Sequence, residues 1–450
     1  MSTLTRLALL TCLAFSAPLH ADAGEDGTRV RFSGFGTLGL AHTQGDGAAF
    51  IRDLTQPKGA ANRGLSWELD SRLGVQANYK PLNQLEVVAQ IVSRYRNENN
   101  FDPELTWGFL KYTANETLEL RAGRVGFDAL LSADSRDIGY SMLWARPPVD
   151  YYGHLFFSYI DGGDIALRMP VGSGVSRLKL YSGVTRGRAS LLAEQREWAG
   201  NQTTAPIGSV QDMDGSRGHG GFVDYQDNRW NVRFGIARLK ILKDFPPGRM
   251  GSLNFMRRQA DLAFADGDTD QARALTAFLD DALVLGKTIT YKTLGIGYEN
   301  GPLQTQMALG RMSGNSLLVA NSRAGFISAG YRMENLTPYL VLSAIRSKRS
   351  SRADELQGLT TNAIASIANF MVSAPRADQN TLSLGVRYDI ANNTALKIQM
   401  DVIDNKNCSP VSLPVTGPAT SCAPPRYWAR VPVSWDGRAN VYSAVLDFAF

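Results

Sequence analysis

Apolar and polar residues alternate with a period of two along most of this chain, and that period limits what the chain can become. The clearest stretch is SWELDSRLGVQANY, residues 66–79. Trp67, Leu69, Leu73, Val75, Ala77 and Tyr79 share one side of an extended strand, and Glu68, Asp70, Arg72, Gln76 and Asn78 share the other. Successive strand side chains point to opposite faces, so this stretch has one apolar face and one wet face. The pattern recurs at 85–96, 118–123, 177–184, 230–237, 382–390 and 395–403. It is weaker at 30–40, 104–114, 164–169, 219–225, 288–299, 303–312, 323–333 and 337–346. The terminal stretch NVYSAVLDFAF, 440–450, brings the number to sixteen.

The connections come in two lengths. Those at 80–84, 114–117, 170–174, 226–228, 299–302, 334–337 and 391–394 are tight and rich in turn formers. The others, 41–65, 97–103, 127–163, 186–218, 241–287, 313–322, 347–380 and 404–438, are mostly long. Tight and long connections alternate strictly, as in an up-and-down meander with short turns on one rim and long loops on the other. A soluble sandwich also has alternating strands, but its packing does not segregate connections by length. The expected fold is all-β, a 16-stranded antiparallel transmembrane barrel forming one domain over 24–450. The mean hydropathy of −0.18 is that of a water-soluble chain. Past the N-terminus no apolar run approaches the ~18 residues that a membrane helix needs, so the membrane would be crossed by strands.

Closure accounts for a chain that stops on a bare phenylalanine. The last strand must pair with the first, VRFSGFGTLGL, because an unpaired edge cannot face lipid. Tyr442, Ala444, Leu446, Phe448 and Phe450 form its apolar side, and Tyr442, Phe448 and Phe450 are read as the closure and assembly signal. Phe448 and Phe450 are placed at the periplasmic aromatic girdle with Tyr79, Trp230, Tyr298, Tyr331, Tyr339 and Tyr388; Trp67, Tyr95 and Trp107 fall at the other rim. The expected partners are outer-membrane lipids and the machinery that assembles barrels.

The first 23 residues, MSTLTRLALLTCLAFSAPLHADA, read as a secretory signal peptide cleaved after Ala21 or Ala23. Cys12 raises a lipoprotein reading, which the preceding Thr11 and the short apolar core disfavour. The mature chain keeps Cys408 and Cys422 in a Pro-rich stretch, and in an exported protein these are expected to pair as a disulfide rather than remain free thiols.

The signal peptide, the opening RFSGFGTLGL, the segment LELRAGRVGF before a long third loop and the aromatic terminal strand together resemble the general porins of Gram-negative outer membranes. The resemblance spans the mature chain. It implies a homotrimer of separate pores, each narrowed by an inward-folded third extracellular loop. The loops 241–287 and 347–380 are longer than that pattern.

Strand parity places Arg31, Arg72, Arg94, Arg121, Arg168, Arg177, Lys179, Arg233, Arg387 and Lys397 in the lumen. Arg31, Arg72, Arg94 and Arg121 come from the first, second, third and fifth strands and are expected to form a basic wall. The resemblance puts Asp128, Asp134 and Asp137 of the third loop opposite that wall, where opposed charges would set a transverse field. Residues 258–287 carry Leu275, Phe278, Leu279, Ala282 and Leu283 at helical spacing, which predicts a loop helix packed on the barrel mouth. Asp266, Asp268 and Asp270 imitate the start of a calcium loop, but Gln271 and Ala277 stand where glycine and a bidentate glutamate belong.

The mature histidines are His42, His154 and His219, no G-x-S-x-G elbow occurs, and no residue is placed to complete a triad. Nothing points to an enzyme, a cofactor, a metal or a nucleic-acid partner. The function expected is an outer-membrane porin, a water-filled pore for passive diffusion of small hydrophilic solutes and ions. The alternative is a substrate-specific channel for anionic or sugar solutes.

Overall fold

The computed structural model describes residues 29–450 except 61–63, 155–156, 191–209, 245–246, 318, 374–375, 407, 414–416, 423–427 and 431–434. The expected signal peptide, with Cys12, lies outside the described residues. Eight strands occupy the first half: β1 (Arg29–Gln44), β2 (Arg72–Leu82), β3 (Leu85–Arg94), β4 (Glu104–Thr113), β5 (Leu118–Gly126), β6 (Tyr159–Val171), β7 (Gly174–Thr185) and β8 (Ser216–Gln226). Eight follow: β9 (Trp230–Lys240), β10 (Thr288–Asn300), β11 (Leu303–Gly314), β12 (Ser322–Tyr331), β13 (Leu336–Ser347), β14 (Gln379–Ala391), β15 (Thr394–Asn405) and β16 (Arg438–Ala449). Each pairs antiparallel with its neighbours in sequence, and β1 pairs with β16, so the sheet closes into a barrel of sixteen strands.

The seam shows why the opening strand is glycine-rich. The β1–β16 register runs from Phe35 opposite Ala449 to Gln44 opposite Asn440. The Gly34 and Phe450 backbones exchange hydrogen bonds of 2.7 and 2.9 Å, so the ladder continues to the last residue. On the outer face Phe448 lies over Gly36 and Phe450 over Gly34; a Cβ on Gly36 would come within 2.3 Å of the Phe448 ring. Outside, Phe32, Leu38, Leu73, Leu180, Phe234, Leu309, Ile327 and Ile398 are exposed on successive parts of the wall. An apolar band of this extent needs an apolar medium or a partner. No helix among the described residues is long and apolar enough to cross a membrane.

The strands expected from the period-two pattern are present, with shifted ends. The second begins at Arg72 and not at residue 66. Asp70 forms a 2.8 Å ion pair with Arg146, and the Leu69 carbonyl accepts from Gln56 Nε2 at 2.9 Å, which bends the chain out of the sheet. Trp67 stacks on Phe101 just above the strand, with centroids 4.8 Å apart. β5 runs on to Gly126 and β6 starts at Tyr159, leaving 127–158 as their connection. Tyr339 is not a girdle residue: it points inward, is buried, and its hydroxyl donates to Gln399 Oε1 at 2.9 Å.

A larger correction concerns the inner face, which is not wet throughout. Towards the long-loop rim it carries Ala237, Leu239, Ile289, Tyr291, Met312, Ala324, Val341, Ile345, Ile403 and Val441, all buried in one apolar cluster with loop residues. Strands apolar on both faces are strands covered on both faces, and here long connections cover the inner one. The connection 241–287 contains α1 (Pro247–Ala265) and α2 (Thr269–Ala282), and 348–378 contains α3 (Asn362–Ser373). Leu275, Phe278, Leu279 and Ala282 bury as their spacing predicts, whereas Leu283 is only half-buried. The chain breaks between α1 and α2 at Gly267, whose φ is +78°. Asp268 then caps α2 by accepting the Gln271 N–H at 3.1 Å, so this acid serves as a helix start. Between β15 and β16 a small hairpin pairs 408–413 with 417–422, with Cys408 directly opposite Cys422.

Candidate pore lining

Two groups of inward basic residues meet acids of the connection 127–158. Arg121 of β5 faces Asp164 of β6 across the register, with guanidinium–carboxylate contacts of 2.7 and 3.0 Å. Asp128, two residues beyond the end of β5, lies 3.7 Å from Arg121 and also pairs with Lys179 of β7, which is itself 3.4 Å from Asp164. In the second group Arg72 and Arg94 stand opposite each other on β2 and β3. Arg94 is 3.3 Å from the Asp137 carboxylate, while Arg72 Nε donates to the Asp137 backbone carbonyl at 2.6 Å. Burial alone would raise both loop carboxyls. Lys179 and Arg121 more than offset this for Asp128, and Arg94 and Arg136 do so for Asp137, so both lie below the ordinary aspartate value.

These contacts differ from opposed charges facing each other across a gap. Asp128 and Asp137 touch their cations, two in the case of Asp128 and Arg94 in that of Asp137, and such contacts compensate charge locally instead of spanning a passage. Arg31 joins neither group. It pairs in register with Asn78, whereas Arg72 pairs with Thr37, six residues further along β1, and Arg31 is exposed. Asp134 is exposed and makes no ion pair among the described residues.

Sequence reasoning missed a third group, centred on Lys397 and Arg146. Lys397, inward on β15, is fully buried, and its Nζ lies 2.8 Å from Asp447 of β16. The same ammonium donates to the carbonyls of Gly139 and Met142 at 2.7 Å and of Trp144 at 3.1 Å. Gly139 packs so closely that a Cβ would lie 1.9 Å from Asp447 Oδ1. Arg146, 2 % exposed, pairs with Asp70 at 2.8 Å and Asp401 of β15 at 3.0 Å, and bonds Ser443 of β16. The available signal was parity: Asp401 and Asp447 occupy inward positions on adjacent strands otherwise read for their arginines and lysines.

Segment 127–158 has partners on much of the inner wall. Arg233 of β9 donates to the Leu130 carbonyl at 3.0 Å and Thr293 of β10 to that of Ala129 at 2.6 Å. Arg387 of β14 donates to the carbonyls of Tyr140 and Met142, both at 2.9 Å. Asp150, in a single helical turn at Val149–Tyr152, accepts from Ser343 of β13 at 2.6 Å and Gln379 of β14 at 2.7 Å. Burial pushes its carboxyl up to about 6, although these bonds oppose the shift. Trp144 and Tyr151 pack edge-on against Phe326 of β12, with centroids 5.4 and 5.3 Å away, and Phe127 meets Phe157 at 4.5 Å. Between this segment and the short-turn rim lies a cavity of about 430 Å³, lined by Ser132, Tyr140, Met142, Asp227, Glu299, Gln306, Thr337, Arg387 and Asp389.

No protein-family model and no curated protein matches this sequence. Solved structures do match in fold. OmpT of Vibrio cholerae, an outer membrane protein folded in vitro, aligns at 13 % identity over 95 % of this chain and 98 % of its own, with a TM-score of 0.50. Its loop L8 deletion mutant aligns at 12 % identity over 94 % of this chain and all of its own, also at 0.50. Salmonella typhi OmpF, in complex with daunomycin, aligns at 12 % identity over 95 % and 99 % of the two chains, again at 0.50. At these identities the likeness is one of fold: the closed outer-membrane barrel of sixteen strands.

Proposed function

We propose that this protein is a porin-type channel of a bacterial outer membrane, in which solutes pass down their gradient through a lumen narrowed by segment 127–158. The observation that carries this reading is the placement of that segment's partners. Arg94, Lys179, Arg233, Thr293, Arg387, Lys397 and Asp447 belong to strands on different sides of the barrel, and all face inward. A segment lying outside the rim could not reach them together, so 127–158 is read as the inward-folded third loop. Around it the short-turn half of the wall is polar, with Gln76, Asn78, Glu86, Lys111 and Glu119 on β2 to β5 in addition to the lined cavity. Water and small polar solutes would fill that half of a sixteen-stranded barrel.

Selectivity on this reading belongs to a narrow passage bordered by ion pairs. Because Asp128 and Asp137 are already neutralised by contact, solutes would meet short local dipoles instead of one long transverse field. Rejection of apolar solutes then follows from the cost of displacing water from those pairs. A substrate-specific channel is the second reading. It is favoured by the apolar packing of the inner wall near the long-loop rim, which leaves less free lumen than a wet wall would. The two are separated by conductance in planar bilayers: an open diffusion pore gives large ohmic steps indifferent to added solute, and a specific channel gives small steps blocked by one solute class. The homotrimer implied by the resemblance would appear as closures in threes.

A further inference from the structure

On four consecutive strands the outward face carries a cation in the same cross-strand row. Lys292 of β10 is opposite Arg311 of β11, Arg311 is opposite Arg323 of β12, and Arg323 is opposite Arg346 of β13. All four are exposed, and each shares its strand face with exposed apolar residues: Leu294, Leu309, Ile327 and Leu342. The row continues one step higher on β9 with Arg238 and Lys240. No Asp or Glu stands at an outward position of β9 to β13, and Lys292, Arg311 and Arg323 make no ion pair among the described residues. Arg346 donates to the Gln379 carbonyl and Asn380 Oδ1, which still leaves its charge uncompensated.

Direct cross-strand neighbours sit only about 4.5–5.5 Å apart, and like charges there destabilise a sheet. Four in a row are a standing repulsion that the fold itself does not relieve. The row has a fixed height. Eight residues separate Arg323 from Tyr331 at the short-turn end; at about 3.4 Å per residue and a tilt near 40° this is on the order of 20 Å. With the reach of long basic side chains, the charges arrive at the far border of the apolar band. A charge at that border costs little, about 0–1 kcal/mol.

We propose that this row is a binding site for a phosphorylated lipid of the outer leaflet. The cations take its phosphates, and the apolar side chains beneath take its acyl chains. A phosphate accepts from several guanidinium groups, and arginine's planar fork suits it. The apolar residues on the same strands distinguish an amphiphile from a soluble anion, because only the amphiphile gains from both halves of the surface. The inference rests on the barrel being a membrane protein and is independent of whether it conducts.

The test uses the full-length mature barrel, refolded in detergent and shown to be folded by heat-modifiable migration, in native mass spectrometry. The probes are bis-phosphorylated lipid A, phosphatidylethanolamine and inorganic pyrophosphate. The expected result is retention of lipid A at concentrations where phosphatidylethanolamine is lost, with no displacement by equimolar pyrophosphate. The variant K292Q/R311Q/R323Q/R346Q should lose that retention at least tenfold, and K80Q at the opposite end should not. Relief of like-charge repulsion should leave the quadruple variant at least as heat-stable as the parent in zwitterionic detergent, and R311Q/R323Q gives the same readout with fewer changes. Equal retention by the variants overturns the proposal, as does binding of pyrophosphate that competes with the lipid. A barrel that will not enter phosphatidylcholine vesicles overturns the membrane reading and this proposal together; one that enters them without preferring lipid A overturns this proposal alone.

Discussion

Replacing Lys397 by methionine should loosen segment 127–158 without unmaking the barrel. The lysine holds Asp447 at 2.8 Å and satisfies the carbonyls of Gly139, Met142 and Trp144. Methionine fills similar space but leaves Asp447 with Thr37 as its remaining donor, at 2.5 Å. The Met142 carbonyl keeps Arg387, whereas those of Gly139 and Trp144 lose this donor. Removing one partner of a buried ion pair costs roughly 3–5 kcal/mol, most of it the stranded charge. That cost falls on the docked state, because water reaches Asp447 once the segment lifts away. The docking equilibrium should therefore shift by a factor of about 10² or more. Trypsin cleavage after Arg136 reports the lifted population when redocking is faster than cutting, so its rate should rise about a hundredfold, and single-channel current should become larger and noisier. Adding D447N should recover much of the effect by removing the stranded carboxylate. A folded K397M barrel with parental cleavage and current would mean that Lys397 does not hold the segment in place.

Asp150 supplies a pH dependence. Its docked carboxyl, near 6, lies above the ordinary value of about 3.9. Its contribution to docking is thus complete below pH 4 and lost as pH rises through 6, by about 3 kcal/mol in all. Sensitivity of the segment to trypsin, normalised at each pH to cleavage of a denatured substrate by the same protease, should increase from pH 4 to pH 7, and D150N should flatten that normalised profile; a D150N profile identical to the parent's would exclude this group. We also propose that Cys408 and Cys422, opposed in their hairpin, form a disulfide; the unreduced protein should then show no titratable thiol, and two free thiols would dismiss the pairing. N-terminal sequencing of the exported protein should begin at Asp22 or Gly24, and a chain starting at Met1 would remove the signal-peptide reading.

The barrel was legible because its information is local. Parity within one strand, the length of each connection and the aromatic end at Phe450 can all be read without knowing what touches what. The same parity told which side Arg72, Arg94, Arg121 and Lys397 would take. It could not tell their partners, because those come from a connection whose path no period describes. Asp137 reaches Arg94, and the Gly139 carbonyl reaches Lys397, across 43 and 258 residues of sequence. Arg31 was grouped with the basic wall because parity ignores height; counting residues from the short-turn end would have separated it. The apolar upper inner wall was visible in stretches such as YLVLSAI, where Leu340 and Leu342 face outward while Val341 and Ile345 face inward. Two apolar faces on one strand announce a covered lumen, and a reading tuned to one wet face passes over them. Tyr339 misled for a related reason, since an aromatic near a strand end suggests a girdle until its parity is checked.

Single-channel recording of the refolded barrel in a planar bilayer would show whether the lumen conducts and whether segment 127–158 narrows it. Discrete, voltage-stable current steps are expected in KCl, larger in K397M than in the parent, with a reversal potential under a salt gradient that reports the charge preference of the lining. A correctly folded, membrane-inserted barrel that passes no current in either form would contradict a conducting lumen.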